Sequence, residues 1–288
     1  MPDGILIIHK PRDWTSMDVC AKLRGVYHEK RVGHAGTLDP MATGVLPVFV
    51  GQATKAVPFA EDGKKEYRAR LRLGTVTDTQ DIWGTAQSQS PADVSEGDLR
   101  ALLPRFTGEI EQIPPMYSAI KVQGKKLYEL ARKGVEVARK PRRVTIEELE
   151  LLPPDETGDW GLRVVCSKGT YIRTLCHDIG AALGCGGCMS ALVRTMAAGF
   201  TLAEAVTLKE AEDQGEALLR PVDSLFRQYP AYRIDSAEAE RRCRCGNPIR
   251  AGFCRDGVYR VYGQDGTFLV LSRCEGGLFT SIRNFFGG

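Results

Sequence analysis

The sequence predicts an α+β protein with a mixed body and a small β-barrel near its C-terminal end. In the body, segments that alternate apolar and charged residues, as half-buried strands do, stand between segments with the 3.6-residue apolar period of helices. Beyond Pro230 the chain consists of short β-prone runs separated by turns of the Asp-Gly type. We therefore place a domain boundary after Tyr229, with the body over residues 1–229 and the barrel over residues 230–288.

The first elements of the body follow from local patterns. The apolar run over residues 4–8 is typical of a buried strand, which ends at Lys10 and the proline after it. Ser16 is suited to cap a helix whose apolar residues share one face and which ends near His28. Over residues 67–73, apolar residues alternate with arginines, so we expect a half-buried strand with a basic outer face.

Later elements are predicted in the same way, and residues 204–219 are expected to form one acidic, amphipathic helix. The other predicted elements are a loop over 78–84, a helix over 99–106, a strand over 162–166, a helix over 171–183, a helix over 236–243 and strands over 258–262, 268–271 and 278–282.

The composition is that of an ordinary globular protein. The 288 residues include 39 Lys and Arg against 36 Asp and Glu, and 43% are hydrophobic. These proportions exclude disordered, collagen-like and disulfide-stapled miniprotein classes. The nine cysteines are an odd number without a secretory signal, and the longest apolar runs are too short to span a bilayer, so we expect reduced thiols and a cytoplasmic protein.

A glycine- and proline-rich segment, residues 33–47, is the densest candidate for a functional site. Its three glycines and two prolines impose unusual backbone angles, and Asp39 is its only carboxylate. Such a loop can present a carboxylate rigidly. A turn in which Asp39 binds its own backbone before Pro40 explains the same residues, so both interpretations stay open at this point.

Metal and cofactor sites are not expected. His34 and Asp39 have no third ligand at a familiar spacing, and the pair Cys185 and Cys188 has no partner pair at the usual distance. The glycine-rich fingerprints of dinucleotide and phosphate binding are missing, as is the Gly-x-Ser-x-Gly motif of serine hydrolases. These observations disfavour hydride transfer, phosphoryl transfer and ordinary serine hydrolysis.

A basic segment over residues 121–143 carries nine basic residues against two acidic ones, with Tyr128 and two leucines among them. Nucleic acid is the polyanion that such a surface fits. A solvated charged hairpin explains the charge equally well.

The sequence resembles the TruB family of bacterial tRNA pseudouridine synthases, which act on uridine 55. The resemblance rests on motifs in family order at residues 36–40 (Gly-Thr-Leu-Asp-Pro), 44–47 (Gly-Val-Leu-Pro), 65–67 (Lys-Glu-Tyr), 78–81 (Asp-Thr-Gln-Asp), 114–119 (Pro-Pro-Met-Tyr-Ser-Ala), 168–173 (Lys-Gly-Thr-Tyr-Ile-Arg) and 192–195 (Leu-Val-Arg-Thr). It implies a mixed, largely antiparallel sheet with flanking helices, an inserted thumb over about residues 117–143 and a terminal RNA-binding barrel of the PUA type. The reaction it implies is isomerisation of uridine to its C-glycoside. One carboxylate of the enzyme acts on a uridine that is flipped out of the RNA, and no cofactor takes part.

The resemblance also assigns roles to individual residues. Asp39 is the catalytic aspartate, either as a nucleophile toward the ribose or as a base in a glycal-type route. Arg173 is expected to pair with Asp39 and to keep it ionised. Tyr67 should stack on the flipped uracil, and His34 should enter the tRNA loop and fill the space of the extruded nucleotides.

Supporting roles follow for several other residues. Lys10 should support the active-site segment, Asp81 should help to hold Tyr67 and the thumb, and Leu192 should line the uracil pocket. Contacts between the thumb and RNA are expected from Lys125, Lys126, Arg142 and Arg143.

The expected partner is the T-arm of tRNA, bound by a monomer without a membrane, a guide RNA or an obligatory protein partner. Two alternatives stay open. One is an RNA-binding or chaperone protein in which catalysis is lost, which the presence of Asp39, Tyr67 and Arg173 disfavours. The other is the guide-RNA-dependent archaeal and eukaryotic relative, which lacks the bacterial thumb.

Overall fold

The structure is a computed structural model that describes residues 2–118, 120–122, 124–131, 133–250, 252 and 254–286, with only the backbone of residues 121, 122 and 126. The α-helices are α1 (Ser16–Tyr27), α2 (Val57–Asp62), α3 (Glu96–Leu102), α4 (Leu127–Ala131), α5 (Ile172–Ala182), α6 (Leu208–Gln214) and α7 (Ala237–Arg244). The strands are β1 (Gly4–Lys10), β2 (Val32–His34), β3 (Thr43–Val50), β4 (Lys65–Leu73), β5 (Thr75–Thr77), β6 (Ala86–Gln89), β7 (Gly108–Gln112), β8 (Lys121–Val122), β9 (Lys125–Lys126), β10 (Arg142–Leu152), β11 (Trp160–Cys166), β12 (Gly187–Ala197), β13 (Phe200–Thr201), β14 (Ala231–Arg233), β15 (Ile249–Arg250), β16 (Gly257–Tyr262), β17 (Phe268–Glu275) and β18 (Leu278–Asn284).

One mixed sheet forms the body, in the order β1-β3-β12-β4-β11-β10-β7, and β2 and β13 pair with β3 and β12. Its strands pair antiparallel except where β12 runs parallel to β3, with Val193 opposite Thr43 and Arg194 opposite Gly44. The parallel pairing brings the start of β3 beside the middle of β12. The mixed, largely antiparallel sheet that was expected is therefore present.

Strand β4 has the alternating burial that its sequence predicts. Tyr67, Ala69 and Leu71 are buried in the body's core, whereas Arg68 faces outward. On the outer face, Arg163 of β11 pairs with Glu66 at 2.7 Å. At β4 and β11, charged pairs across neighbouring strands thus cover the outer face of the sheet, while apolar residues of β4 fill the inner face.

Helix α1 differs from the expected helix at its first residue. Thr15, not Ser16, is the N-cap, because the Thr15 hydroxyl accepts a hydrogen bond from the Asp18 backbone N–H and Asp18 binds the Thr15 backbone in return. The helix ends before His28, which has a left-handed backbone (φ 49°). Ser16 is instead free to make the contact with the active-site loop described below.

The single helix expected over residues 204–219 is wrong. Helix α6 spans only Leu208–Gln214, with a 3-10 turn on either side. The extended Val206 breaks the helical stretch, because its N–H donates to the Ile7 carbonyl at 2.9 Å and its carbonyl accepts from the His9 N–H at 2.8 Å. Pairing with the edge strand β1 therefore outcompetes local helix propensity.

The strands beyond Pro230 form one five-stranded sheet, in the order β14-β16-β17-β18-β15. Among the described residues no pairing joins the edge strands β14 and β15, so a closed barrel is not confirmed. The sheet packs on the body through an aromatic cluster in which Phe226 lies 5.6 Å from Phe285 and 6.2 Å from Phe268, ring centre to ring centre. Among the described helices, none is long and apolar enough to cross a membrane.

Candidate active site

The loop between β2 and β3 presents Asp39, whose side chain is 37% exposed. Glycine is needed at the end of this loop, since Gly44 has φ 105° and a Cβ there would lie 2.2 Å from the Arg194 carbonyl oxygen. Close parallel pairing of β3 with β12 therefore fixes the point at which the loop returns to the sheet.

Backbone hydrogen bonds hold the loop on both sides of Asp39. The buried Ser16 hydroxyl accepts from the Leu38 N–H at 2.9 Å and donates to the Leu38 carbonyl at 3.3 Å. On the other side, the Pro40 carbonyl accepts from the Asp13 N–H at 2.8 Å. The carboxylate is thus carried on a backbone that is anchored at the preceding and the following residue.

Arg173, in the first turn of α5, makes the ion pair with Asp39 that was expected. Its Nε lies 3.0 Å from the Asp39 carboxylate, and its side chain is only 6% exposed. The rest of the guanidinium contacts the Asp81 carboxylate at 3.5 Å, the Thr79 carbonyl at 3.1 Å and the Tyr117 carbonyl at 2.9 Å. One buried cation therefore connects Asp39, the loop after β5 and Tyr117, the first residue of the expected thumb.

Asp81 binds Arg173 as well as its own loop. Its carboxylate accepts hydrogen bonds from the Thr79 hydroxyl at 2.8 Å and from the Trp83 N–H at 3.0 Å. Burial raises the pKa of Asp81, and the Thr79 hydrogen bond and the Arg173 charge oppose that rise. Asp81 was expected to hold Tyr67 and the thumb; the structure shows its carboxylate in contact with Arg173, which also binds the Tyr117 carbonyl.

Tyr67 and Leu192 belong to one apolar cluster with Leu38 and Met41 of the active-site loop. Both side chains are 8% exposed. Burial raises the pKa of the Tyr67 hydroxyl, and the charge of Arg194 opposes this rise. The site therefore has an apolar wall beside the ion pair of the Asp39 carboxylate and the Arg173 guanidinium.

Lys10 lies wholly buried under the loop. Its ammonium group donates hydrogen bonds to the carbonyls of Trp14 at 2.6 Å, Pro11 at 2.8 Å and Pro40 at 3.2 Å. Burial lowers the pKa of Lys10 to about 8, although the nearby Asp39 opposes this shift. The contact with Pro40 brings Lys10 to the segment it was expected to support.

His34 is half-buried at the end of β2, and its Nδ1 finds no hydrogen-bond partner among the described residues. Burial, and to a lesser degree the charge of Arg194, lower the pKa of the imidazole. At the entrance to this loop the imidazole therefore takes up a proton less readily than a fully solvated histidine does.

Arg194 is the site residue that sequence reasoning missed. Its side chain is 1% exposed; Nε donates to the Val45 carbonyl at 2.7 Å, and a terminal nitrogen donates to the Gly36 carbonyl at 3.0 Å. These carbonyls lie at the two ends of the active-site loop, so one guanidinium ties the ends together. An arginine directly after the apolar run Ala191-Leu192-Val193 was the available indication, but its motif was used only for the family resemblance.

The expected thumb residues are exposed, in contrast to the buried residues of this site. Lys125 is exposed in β9, and Arg142 and Arg143 are exposed at the start of β10, where Arg143 lies 4.0 Å from Glu111. The side chain of Lys126 is outside the described part of the chain. In the described ranges, no three His, Cys, Asp or Glu side chains are grouped as a metal site requires.

Two family models match the sequence. The model of the TruB family pseudouridylate synthase N-terminal domain matches residues 24–172, and that of the tRNA pseudouridylate synthase B C-terminal domain matches residues 173–227. A protein named tRNA pseudouridine synthase B from Azoarcus sp. strain BH72 is 48% identical over 280 residues, which is 96% of this chain and 92% of that protein. One of the same name from Syntrophomonas wolfei is 45% identical over 94% of this chain and 93% of its own length.

Solved structures share the fold. Cbf5 in a crystal structure of a Cbf5-Nop10-Gar1 complex has a TM-score of 0.72 and 26% identity, with 98% of this chain and 85% of that chain covered. A chain in the structure of an H/ACA RNP bound to a substrate RNA containing 2′-deoxyuridine has a TM-score of 0.71 at 24% identity, over 99% of this chain and 85% of that one. With this pseudouridine synthase fold and these family matches, the chain belongs to the TruB family of pseudouridine synthases.

Proposed function

We propose that this enzyme converts uridine 55 in the T-loop of tRNA to pseudouridine, with Asp39 as the catalytic carboxylate. The observation that carries the proposal is the ion pair between Asp39 and the buried Arg173, on an anchored loop beside the apolar wall of Tyr67 and Leu192. The curated relatives named tRNA pseudouridine synthase B support tRNA as the substrate class.

The chemistry needs one carboxylate and no group donor. The bond between uracil N1 and ribose C1′ breaks, the base turns, and a bond forms between C5 and C1′; C5 then loses its proton and N1 gains one. Asp39 either attacks ribose C1′ and leaves again when C5 attacks that carbon, or removes a ribose proton and later returns it, and both routes balance without an oxidant or cofactor. A flat apolar surface beside the carboxylate suits a base that must rotate during the reaction.

Each neighbouring residue then has a role. Arg173 supplies the compensating charge that orients Asp39, and Asp81 orients Arg173 from its other side. Tyr67 stacks on the flipped uracil, and Leu192 lines its pocket. Lys10 holds the backbone after Asp39, while His34 enters the tRNA loop.

For tRNA binding we propose two basic surfaces outside the pocket. One is the thumb, residues 117–143, with contacts from Lys125, Lys126, Arg142 and Arg143 to phosphates. The other is a PUA-like RNA-binding domain over residues 230–288, which follows the catalytic domain over residues 1–229. Phosphate contacts of this kind position the T-arm and leave the choice of uridine to the pocket.

We propose further that the enzyme acts as a cytoplasmic monomer, without metal, guide RNA or protein partner. The similar Cbf5 chain was crystallised with Nop10 and Gar1, so a partner-dependent enzyme is the main alternative. The basic segment over residues 121–143 favours a stand-alone enzyme, because it offers its own contacts to RNA phosphates.

The test is conversion of an unmodified tRNA transcript by the purified chain in the presence of a chelator, with no other macromolecule. We expect pseudouridine at position 55 and no product from a transcript with cytidine at that position. Binding without conversion would instead favour an RNA-binding protein. Conversion only after guide RNA or partner proteins are added would favour the partner-dependent alternative.

A further inference from the structure

Trp83 is unusual among the aromatic residues because its side chain is 49% exposed. It lies in the loop between β5 and β6, whose other side chains include the buried Asp81. The guanidinium carbon of the exposed Arg12 lies 5.9 Å from the centre of the Trp83 ring. An aromatic ring and a cation thus lie side by side at the surface, where a ligand can reach both.

Both residues are connected to the loop that carries Asp39 through neighbouring residues. The backbone N–H of Trp83 donates to the Asp81 carboxylate, which contacts Arg173, and Arg173 contacts Asp39. Arg12 precedes Asp13, whose N–H donates to the Pro40 carbonyl. The pair therefore lies near the active site, with the side chains of Asp81 and Arg173 between Trp83 and Asp39.

The donors of Arg12 are available to a ligand. In the described ranges, its guanidinium makes no hydrogen bond or ion pair, and Trp83 is its only aromatic contact. The indole and the guanidinium suit the two parts of a nucleotide, its base and its phosphate. Bases stack on indole rings, and an arginine whose donors are not already bound can bind phosphate.

We propose that Trp83 and Arg12 form a second nucleotide subsite, which binds an unpaired nucleotide next to the target uridine. The indole stacks on its base, and the Arg12 guanidinium binds a phosphate of the same strand. This inference rests on the proposed function, because it takes a tRNA loop as the ligand. A flipped target leaves its neighbours partly unstacked, and a stacking surface outside the pocket offsets that loss.

The test is equilibrium binding of a T-arm stem-loop RNA in an Asp39→Asn background, which prevents turnover. Trp83→Ala should weaken binding roughly 5- to 150-fold, the effect of losing one stacked base. Trp83→Phe, which keeps an aromatic face, should retain most of the affinity. Repeating the measurement with RNAs that lack one loop base at a time identifies the stacked nucleotide: for that RNA, Trp83→Ala should cause no further loss.

Arg12 is tested by salt dependence. Arg12→Ala should reduce the slope of log Kd against log salt by about 0.7, the contribution of one phosphate in a single strand. Arg100→Ala is the matched control, because Arg100 is equally a surface arginine but is already paired with Glu96. Its slope should equal that of the unmodified chain.

The outcomes separate this inference from the proposed function. If the chain with Asp39 intact makes no pseudouridine at position 55, the proposed function fails. If conversion is normal but no missing base removes the effect of Trp83→Ala, Trp83 only shapes the Asp81 loop and the subsite is refuted. An unchanged affinity in Trp83→Ala would refute it as well.

Discussion

Three buried cations surround the active-site loop, and each of them donates to backbone carbonyls. Lys10 binds the carbonyl of Pro40, Arg194 binds those of Gly36 and Val45, and Arg173 binds those of Thr79 and Tyr117. A buried charge without hydrogen bonds is strongly unfavourable, so each cation stays in place only while these carbonyls surround it. The loop and its cations therefore stabilise one another.

Lys10 makes stability depend on pH in a defined direction. Burial lowers its pKa from 10.5 to about 8, so the folded protein holds this proton less tightly than the unfolded chain does. The destabilising effect is complete below about pH 8 and is relieved as the pH rises toward 10.5. Relative to Lys10→Met, the free energy of unfolding of the unmodified enzyme should thus increase between about pH 7 and about pH 10. Denaturant titrations at several pH values measure this difference, and parallel pH profiles for the two proteins would contradict it.

Arg194 should be sensitive even to a conservative replacement. Lysine keeps the charge but cannot donate to the Val45 and Gly36 carbonyls at once, so Arg194→Lys should lower the free energy of unfolding by about 1–3 kcal/mol. A displaced loop should also lower the single-turnover rate by about 100-fold. The matched control is Arg70→Lys, because Arg70 also donates to two carbonyls, those of Pro153 and Asp159, but on the outer face of β4. Equal rates for the two variants would show that Arg194 does not position the loop.

At the level of elements, the thumb is expected to act through charge. Replacing Lys125, Arg142 and Arg143 by glutamine should weaken tRNA binding and lower the slope of log Kd against log salt by about 2 to 3, because fewer counterions are released. Three exposed cations that already pair with carboxylates, Lys22, Arg100 and Lys209, form the control set. Filter binding over a range of salt concentrations measures both sets. The same slope for both would make the thumb a solvated hairpin.

The elements that could be predicted from the sequence are those with a clear period and a local end. Strand β4 alternates apolar and charged residues, and helix α1 has one apolar face and ends just before His28. Strand β12 was missed although it lies between β3 and β4, because glycine, serine and arginine interrupt its apolar residues. Its strand conformation is determined by neighbours on both sides, which no local pattern reveals.

The active site was predictable to the extent that its residues lie in family motifs. The pairing of Asp39 with Arg173 was expected, and the structure contains it. The contacts of Ser16 with Leu38 and of Arg194 with Gly36 were not expected, because their partners are backbone groups that are distant in the sequence. A side chain that binds a remote carbonyl leaves no periodicity in the sequence.

For the whole molecule, the aromatic cluster around Phe226 couples the body to the C-terminal sheet. Phe226 is 1% exposed and contacts Phe59 of the body, with ring centres 5.4 Å apart, as well as Phe268 and Phe285 of the sheet. Tyr262 adds a hydrogen bond to Asp223 at 2.7 Å. The two parts should therefore unfold together.

Phe226→Ala should lower the free energy of unfolding by about 3–5 kcal/mol, because a large side chain is removed from a closed cluster. Hydrogen exchange should accelerate in β1 as well as in β17. Phe279→Ala, which removes a ring from the sheet's own core, should affect the sheet more than the body. Faster exchange confined to the sheet in both variants would contradict the coupling.

The catalytic role of Asp39 is tested most directly by single-turnover formation of pseudouridine at position 55 by Asp39→Asn. Asparagine keeps the size of the side chain but removes its charge and nucleophile, so conversion should be abolished while tRNA binds with nearly unchanged affinity through distant phosphate contacts. Asp62→Asn, at an exposed carboxylate that pairs with Lys168, is the control and should convert tRNA normally. Substantial conversion by Asp39→Asn would contradict the assignment of Asp39 as the catalytic residue.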